Sequence, residues 1–433
     1  MKPNPSEGSE CAPPSPKRRN PFKRFSRALG PGLVTGAADD DPSGIATYSV
    51  AGAKLGTSML WAAILTWPLM ACTQFMCARI GMVTGQGLAQ TLKKKFPGSV
   101  LIVISISLLI ANTINIGADL SGMADAASML TGWNDRMFVV TFAVAIAAAT
   151  VLFRYKRIAS ILKWLALILF TYVITAFLTG PNWKEVVKAT FLPTWSGGHD
   201  AWAMLVAILG TTISPYLFVW QTSQEVEEMK SEGLTTVQSR KNAERPELTD
   251  RKIDVGTGTF FSNLVMFFII LTAAQTLHKQ GQTQIETSKQ AAEALLPLAG
   301  RFAYLLYTVG LLGVGFLAIP TLAGSSAYAF AETFKWCQGL DETLKRARSF
   351  YAVVILSTLV GAGLIFTGVN PVKALFWSAI INGVLAPFLM VGILMVAADR
   401  KIMNGQPSSR LALGVVGLAT LGMFAAAAGL FIF

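Results

Sequence analysis

Gly36-Ala37-Ala38-Asp39-Asp40-Asp41-Pro42-Ser43-Gly44 sets three consecutive carboxylates and a Pro-Ser-Gly breaker inside one apolar run, which starts near Leu29 and resumes at Ile45-Ala46-Thr47-Tyr48. Charge at membrane depth is expensive and usually functional. A break in a membrane helix is tolerated only where its backbone lines a protein-enclosed or watery site. The segment therefore reads as a transmembrane helix interrupted at a cation site. A second apolar run, Ala201 to Gln221, breaks in the same way at Thr211-Thr212-Ile213-Ser214-Pro215. Paired broken helices point to the substrate site of a secondary transporter.

The rest of the chain agrees with a membrane setting. Of 433 residues, 53% are hydrophobic and 14% charged, against roughly 25% charged in soluble proteins. Runs long enough to span, at about 20 residues each, fall at 28–50, 57–80, 99–122, 137–153, 159–179, 201–222, 255–277, 302–331, 350–368, 371–397 and 410–432. Eleven spans are expected, with breaks in the first and sixth. The breaks are five spans apart, an odd offset that inverts the second unit. The expectation is an all-α membrane protein with two inverted five-helix repeats, about 28–179 and 201–397, an extra helix at about 410–432, and a basic, disordered cytoplasmic tail over 1–27. Together 28–433 form the transmembrane domain.

The net charge of +12 could suggest nucleic acid, but its distribution argues otherwise. Basic clusters lie at Lys17-Arg18-Arg19 with Lys23-Arg24, Lys93-Lys94-Lys95, Arg154-Tyr155-Lys156-Arg157, Lys241 to Lys252, Lys345-Arg346-Ala347-Arg348 and Arg400-Lys401. With eleven spans and a cytoplasmic N-terminus, all six fall on the cytoplasmic side, as positive-inside topology requires. The chain is expected in a cell inner membrane, as a monomer, with its C-terminus on the extracellular or periplasmic side. The polar stretch Gln224 to Lys252 reads as a solvated linker. Segments around Trp183–Asp200 and Lys279–Lys289 read as loops with short interfacial helices. The cysteines Cys11, Cys72, Cys77 and Cys337 have neither disulfide nor zinc spacing.

At the first break Asp41 precedes Pro42, which pushes it out of helical geometry. Freed carbonyls beside a carboxylate can bind a cation, and hard ions such as Mg²⁺ and Mn²⁺ want oxygen ligands. Asp41 with oxygens from Thr211 to Ser214 would supply them; the competing reading is a helix-capping Asp. Three successive residues point in three directions, so Asp39 and Asp40 are weaker candidates, and Asp40 could line the vestibule. In span three, Asn112, Asn115 and Asp119 share one helix face, as an ion or proton path or as packing contacts. Asn382 of span ten could reach the central site or merely pack; Asp254 and Asn263 read as structural. The two histidines, His199 and His278, fall at extracellular positions, so none is available in a span to shuttle protons near neutrality. No Walker, GxSxG or zinc-protease motif supports an enzyme, and no resident cofactor is expected.

These residues resemble the Nramp (natural resistance-associated macrophage protein) divalent-metal transporters over nearly the whole span region. The likeness rests on Gly30-Pro31-Gly32, on Asp41-Pro42-Ser43-Gly44 where the family has Asp-Pro-Gly-Asn, on Ala78-Arg79-Ile80-Gly81 with Thr84-Gly85, and on Asp119. It continues with Thr212-Ile213-Ser214-Pro215 and Asp399-Arg400-Lys401-Ile402-Met403. The resemblance implies the LeuT-type fold. It also exposes departures. Gly44 stands where the family has a metal-binding Asn, and Ser214 where it has a metal-binding Met. Tyr216, Leu217 and Gln221 replace a His, an Asn and a later His. Asn112 and Gly122 replace two glutamates around Asp119.

A thioether favours transition metals over Mg²⁺, so losing it removes discrimination against Mg²⁺. Gly44 and Ser214 leave room for water, which Mg²⁺ is reluctant to shed. The chain is thus similar to the Nramp-related magnesium transporter branch. The expectation is a carrier of Mg²⁺ and Mn²⁺, not proton-coupled, with Asp41, Thr211, Ser214, Gly44, Asp40 and Asn382 around the metal. Alternatives are a proton-coupled Mn²⁺/Fe²⁺ importer, a cation-coupled amino-acid carrier of the same fold, which Asp39–Asp41 disfavours, and a sensor, which would need an added soluble domain.

Overall fold

The computed structural model describes residues 31–153, 167–195, 197–231, 233, 237–340 and 342–433. The expected tail over 1–27, Gly30, the basic cluster Arg154–Arg157 and the beginning of span five lie outside them. All regular structure among the described residues is helical.

Span one is two helices, Pro31–Asp39 and Pro42–Leu55. Span two is Leu60–Thr84, span three Gly98–Thr131 and span four Asp135–Leu152; span five is described over its helix Phe170–Leu178. Span six again is two helices, Gly198–Thr212 and Pro215–Ser231. Span seven lies in Val237–Thr276 and span eight is Ala303–Phe334. Spans nine, ten and eleven are Arg348–Gly363, Pro371–Ala398 and Arg410–Ile432.

Nine described segments are long and apolar enough to cross a membrane, and one of them, Pro42–Thr84, runs 43 residues. At 1.5 Å per residue that is about twice a hydrocarbon core. It divides at Gly56, whose φ of +58° suits glycine, into the end of span one and all of span two. With the first half of span one and the apolar helix of span five, the eleven expected segments are accounted for. The interfacial helices also appear, at Trp183–Phe191 and Ser288–Ala292.

Each of the first four spans packs against the span five places later: one on six, two on seven, three on eight, four on nine. Between other pairs of spans, small residues bring the helices close. A Cβ on Gly36 would stand 2.5 Å from the backbone of Gly258 in span seven, and one on Gly210 would stand 2.0 Å from the carbonyl of Ala379 in span ten. Without a hydrophobic force between helices in lipid, such backbone proximity is what brings dispersion and polar contacts to bear.

The linker expected over 224–252 is overturned. Span six continues helically to Ser231 and the next helix begins at Val237. Glu225 is 1% exposed and faces the Arg251 guanidinium. Polar composition misled because charges that satisfy one another inside a bundle look, in sequence, like charges facing water.

Candidate metal site

The two breaks meet at the centre of the bundle. Asp41 has extended backbone geometry, φ −65° and ψ 171°, and starts the second half of span one with Pro42 as the first helical residue, where a missing N–H costs nothing. Its Oδ1 accepts from the Gly44 N–H at 2.7 Å and the Ser43 hydroxyl at 2.8 Å. Asp41 is therefore the helix cap that the competing reading described. It is also 2% exposed, and its Oδ2 accepts from Asn115 Nδ2 at 3.1 Å. Gly44 sits beside the carboxylate: a Cβ there would lie 3.5 Å from Asp41 Oδ1, in ordinary contact. The Asp39 carbonyl and the Tyr48 ring would each lie 3.4 Å from the same Cβ, so a methyl group there would be in contact on three sides.

Span six breaks at Ile213, with φ −117° and ψ 60°, and resumes at Pro215. Its hydroxyls turn back onto their own helix. Thr211 Oγ1 donates to the Ile208 carbonyl, and Ser214 Oγ lies 2.6 and 2.8 Å from the carbonyls of Gly210 and Thr211. Among the described residues no hydrogen bond joins Thr211 or Ser214 to Asp41. What crosses between the breaks is Tyr216, whose hydroxyl donates to the Ala38 carbonyl at 3.0 Å, while Ser325 of span eight donates to the Tyr216 carbonyl.

Span three divides its expected face between two tasks. Asn115 reaches Asp41, but Asn112 donates to the Leu322 carbonyl and Ser326 Oγ of span eight, both at 3.0 Å. Asp119, one turn beyond Asn115, is fully buried; neither of its carboxylate oxygens has a side-chain partner, and its nearest donor is the Ser43 backbone N–H beside Asp41. Asn382 is 2% exposed, its Oδ1 likewise without a partner, on the part of span ten that touches span six. Asp40 is buried with Asp39, and Ser262 Oγ of span seven lies 2.6 Å from Asp39 Oδ2 and 3.2 Å from Asp40 Oδ1. Asn263 bonds Thr66 and the Thr259 carbonyl, tying span two to span seven.

Two ion networks flank the breaks. Arg251 pairs with Glu225 at 2.8 Å, with Asp254 at 2.7 Å and with Glu228. Asp254 accepts from Gly32 N at 2.7 Å, and Thr35 donates to Gln221, which donates to Glu225. This loop fastens the first half of span one to span seven and the second half of span six. At the other end Lys54 of span one pairs with Asp200 of span six at 2.9 Å. A cavity of about 360 Å³ there is lined by His199, Asp200, Glu286, Lys373 and Trp377 among others.

Among the described residues, no three His, Cys, Asp or Glu side chains converge as a ready-made metal chelate. The break instead offers one charged oxygen donor, Asp41, beside the buried amide oxygen of Asn115, which has no partner. Such a site suits a hard cation that keeps part of its water. Sequence reasoning missed Ser262, Ser325 and Arg251, and took Tyr216 only as a departure from the family pattern. Ordinary bundle residues by type, they acquire their partners from spans far away in the chain.

A family model described as natural resistance-associated macrophage protein-like matches residues 32–433. The divalent metal cation transporter MntH of Caldanaerobacter subterraneus subsp. tengcongensis is 26% identical over 410 residues, covering 90% of each chain. MntH of Verminephrobacter eiseniae is 26% identical over 399 residues, 89% of this chain and 84% of its own. The Eremococcus coleocola manganese transporter superposes with a TM-score of 0.73 at 17% identity, over 96% of this chain and 90% of the other. Mhp1, a nucleobase-cation-symport-1 family transporter, does so with a TM-score of 0.56 at 17% identity, over 93% and 91%. Likenesses at these identities establish the fold, the LeuT-type arrangement expected from the paired breaks.

Proposed function

We propose, for a chain that belongs to the natural resistance-associated macrophage protein-like family, that it carries divalent metal ions across a membrane by alternating access, favours Mg²⁺ and Mn²⁺, and does not couple their movement to protons. The observation that carries this reading is the donor set at the first break: the Asp41 carboxylate and the Asn115 amide oxygen, with Gly44 beside them supplying no side-chain donor, so that the ligands are oxygen without sulfur. Thr211, Ser214, Asp40 and Asn382 complete the metal's surroundings, partly through water. The relatives named as divalent metal cation transporters support the substrate class. The donor set supports the preference for Mg²⁺, because no soft ligand favours a transition metal.

The networks at the two ends support alternating access. The Arg251 cluster ties spans six and seven at one end and the Lys54–Asp200 pair ties spans one and six at the other, and movement of these spans about the site requires each to open in turn. The basic clusters support an inner-membrane orientation with the N-terminus in the cytoplasm and the C-terminus opposite. The pairing of spans one to four with six to nine supports the division into repeats at about 28–179 and 201–397. The carrier works as a monomer.

A second reading, a proton-coupled manganese importer, is favoured by one observation: Asp119 is a buried carboxylate without a cationic or side-chain hydrogen-bond partner, as a proton acceptor would be. Uptake of Mg²⁺ and Mn²⁺ into proteoliposomes, with internal pH recorded simultaneously, separates the two. Uptake of both ions without acidification is expected. Acidification proportional to uptake overturns the uncoupled reading.

A further inference from the structure

Where span ten ends, Lys95, Arg400 and Lys401 line an open cavity of about 480 Å³ together with Asp399, Ala398 and Met395. Asp399 builds the turn. Its Oδ1 accepts from the N–H groups of Lys401 at 2.7 Å and Ile402 at 3.2 Å, and its Oδ2 meets Lys95 Nζ at 2.6 Å. The hydrogen bond from Lys95, then those two backbone N–H groups, hold its carboxyl down at about 2. It stays ionised at any working pH and offsets one of the three cations. Arg400 and Lys401 are exposed and pair with no carboxylate among the described residues, so the cavity carries two uncompensated positive charges.

An apolar stripe leads to it. Phe388, Val391 and Met395 lie at i, i+3 and i+7 on one face of span ten, and are 63%, 39% and 42% exposed. On a membrane helix such a face meets acyl chains. Phe388 also contacts Phe424 of span eleven edge-on, so the stripe runs beside a helix junction.

We propose that this cavity binds the headgroup of an anionic phospholipid whose chains lie along Phe388, Val391 and Met395. Arg400 can take a phosphate through two parallel N–H groups, and Lys401 and Lys95 add point charges. Two uncompensated cations match a headgroup bearing two phosphates better than one bearing a single phosphate. Basic pockets among transmembrane helices commonly hold such headgroups. The inference rests on the spans crossing a bilayer and not on which ion is carried.

The test uses the full chain, purified in detergent and stripped of lipid. It is titrated with cardiolipin, phosphatidylglycerol, phosphatidylcholine, glycerol 3-phosphate and inorganic phosphate, and bound lipid is read by native mass spectrometry alongside the thermal-unfolding midpoint. Cardiolipin is expected to bind and to raise the midpoint, with phosphatidylglycerol weaker and phosphatidylcholine inert. The double variant Arg400→Gln/Lys401→Gln should weaken cardiolipin roughly thirty-fold, from about one kcal/mol per basic residue. The control Lys345→Gln/Arg348→Gln removes equal charge elsewhere and should change nothing. Equal weakening in both variants would show diffuse attraction and overturn the site. Free phosphate stabilising as well as the lipid would assign a phosphate site and overturn the lipid. If the double variant folds poorly, Lys401→Gln alone decides, with about a five-fold loss expected.

Discussion

Asn115 Nδ2 donates to Asp41 Oδ2 across 3.1 Å, joining span three to the break in span one. A carboxylate has about four acceptor positions. Ser43 and Gly44 occupy Oδ1 and Asn115 takes one position on Oδ2, so the remaining lone pair belongs to Oδ2. A cation that reaches Asp41 in this arrangement binds through that one oxygen, next to the Asn115 amide oxygen.

Asp41→Asn keeps a good helix cap and removes the charge, so the variant should fold and fail to transport. Asn115→Ala should weaken metal binding about ten-fold, as loss of an orienting partner does. Near-normal Mn²⁺ uptake by well-folded Asp41→Asn protein would remove Asp41 from the site.

Mg²⁺ and Mn²⁺ should compete at similar concentrations in the wild-type protein. Ser214→Met, which installs a thioether at the second break, should shift preference toward Cd²⁺ and Mn²⁺. Mn²⁺ uptake that is indifferent to millimolar Mg²⁺ would contradict an oxygen-only site.

Asp119→Asn should lower transport modestly and leave its pH dependence unchanged, because Asn112 and Asn115 on the same face cannot titrate and the neighbouring carboxylate, Asp41, is held by Ser43, Gly44 and Asn115. Metal-driven acidification that disappears in Asp119→Asn would restore proton coupling.

Arg251→Gln should loosen the closure beneath Asp41, since removing one partner of a buried ion cluster leaves uncompensated charge worth about 3–5 kcal/mol. In a cysteine-free background, a thiol placed by Thr35→Cys should react faster with a polar reagent when Arg251 is replaced. Identical labelling rates would mean that the cluster is static.

Gly210→Ala should lower the thermal midpoint, at a cost of about 1–3 kcal/mol, because its methyl would meet the backbone of Ala379 and Gly383. Gly417→Ala in span eleven, where a Cβ meets nothing within 4 Å, serves as the control and should leave the midpoint unchanged or slightly raised.

The eleven apolar segments, the two interruptions and the acidic residue at the first of them follow from local chemistry. Span length is set by bilayer thickness, and Pro42 biases Asp41 toward extended backbone; Pro68, Pro320 and Pro387 sit inside continuous helices, so it is the acidic run beside Pro42 that marks the break. The same local logic failed at 224–252, where Glu225 and Arg251 look like surface charges until span seven brings them together.

By itself, then, the sequence determined where the chain crosses the membrane, where it breaks, and that Asp41 stands at a break. Tertiary structure decided what each polar group does there. It sent Asn112 to span eight and Asn115 to Asp41, though both share one helix face. It set Ser262 against Asp39 across 223 positions and Tyr216 against Ala38 across 178. Those partners come from packing between distant helices, where a turn of rotation chooses which oxygen a donor meets, and no local pattern of residues encodes that rotation.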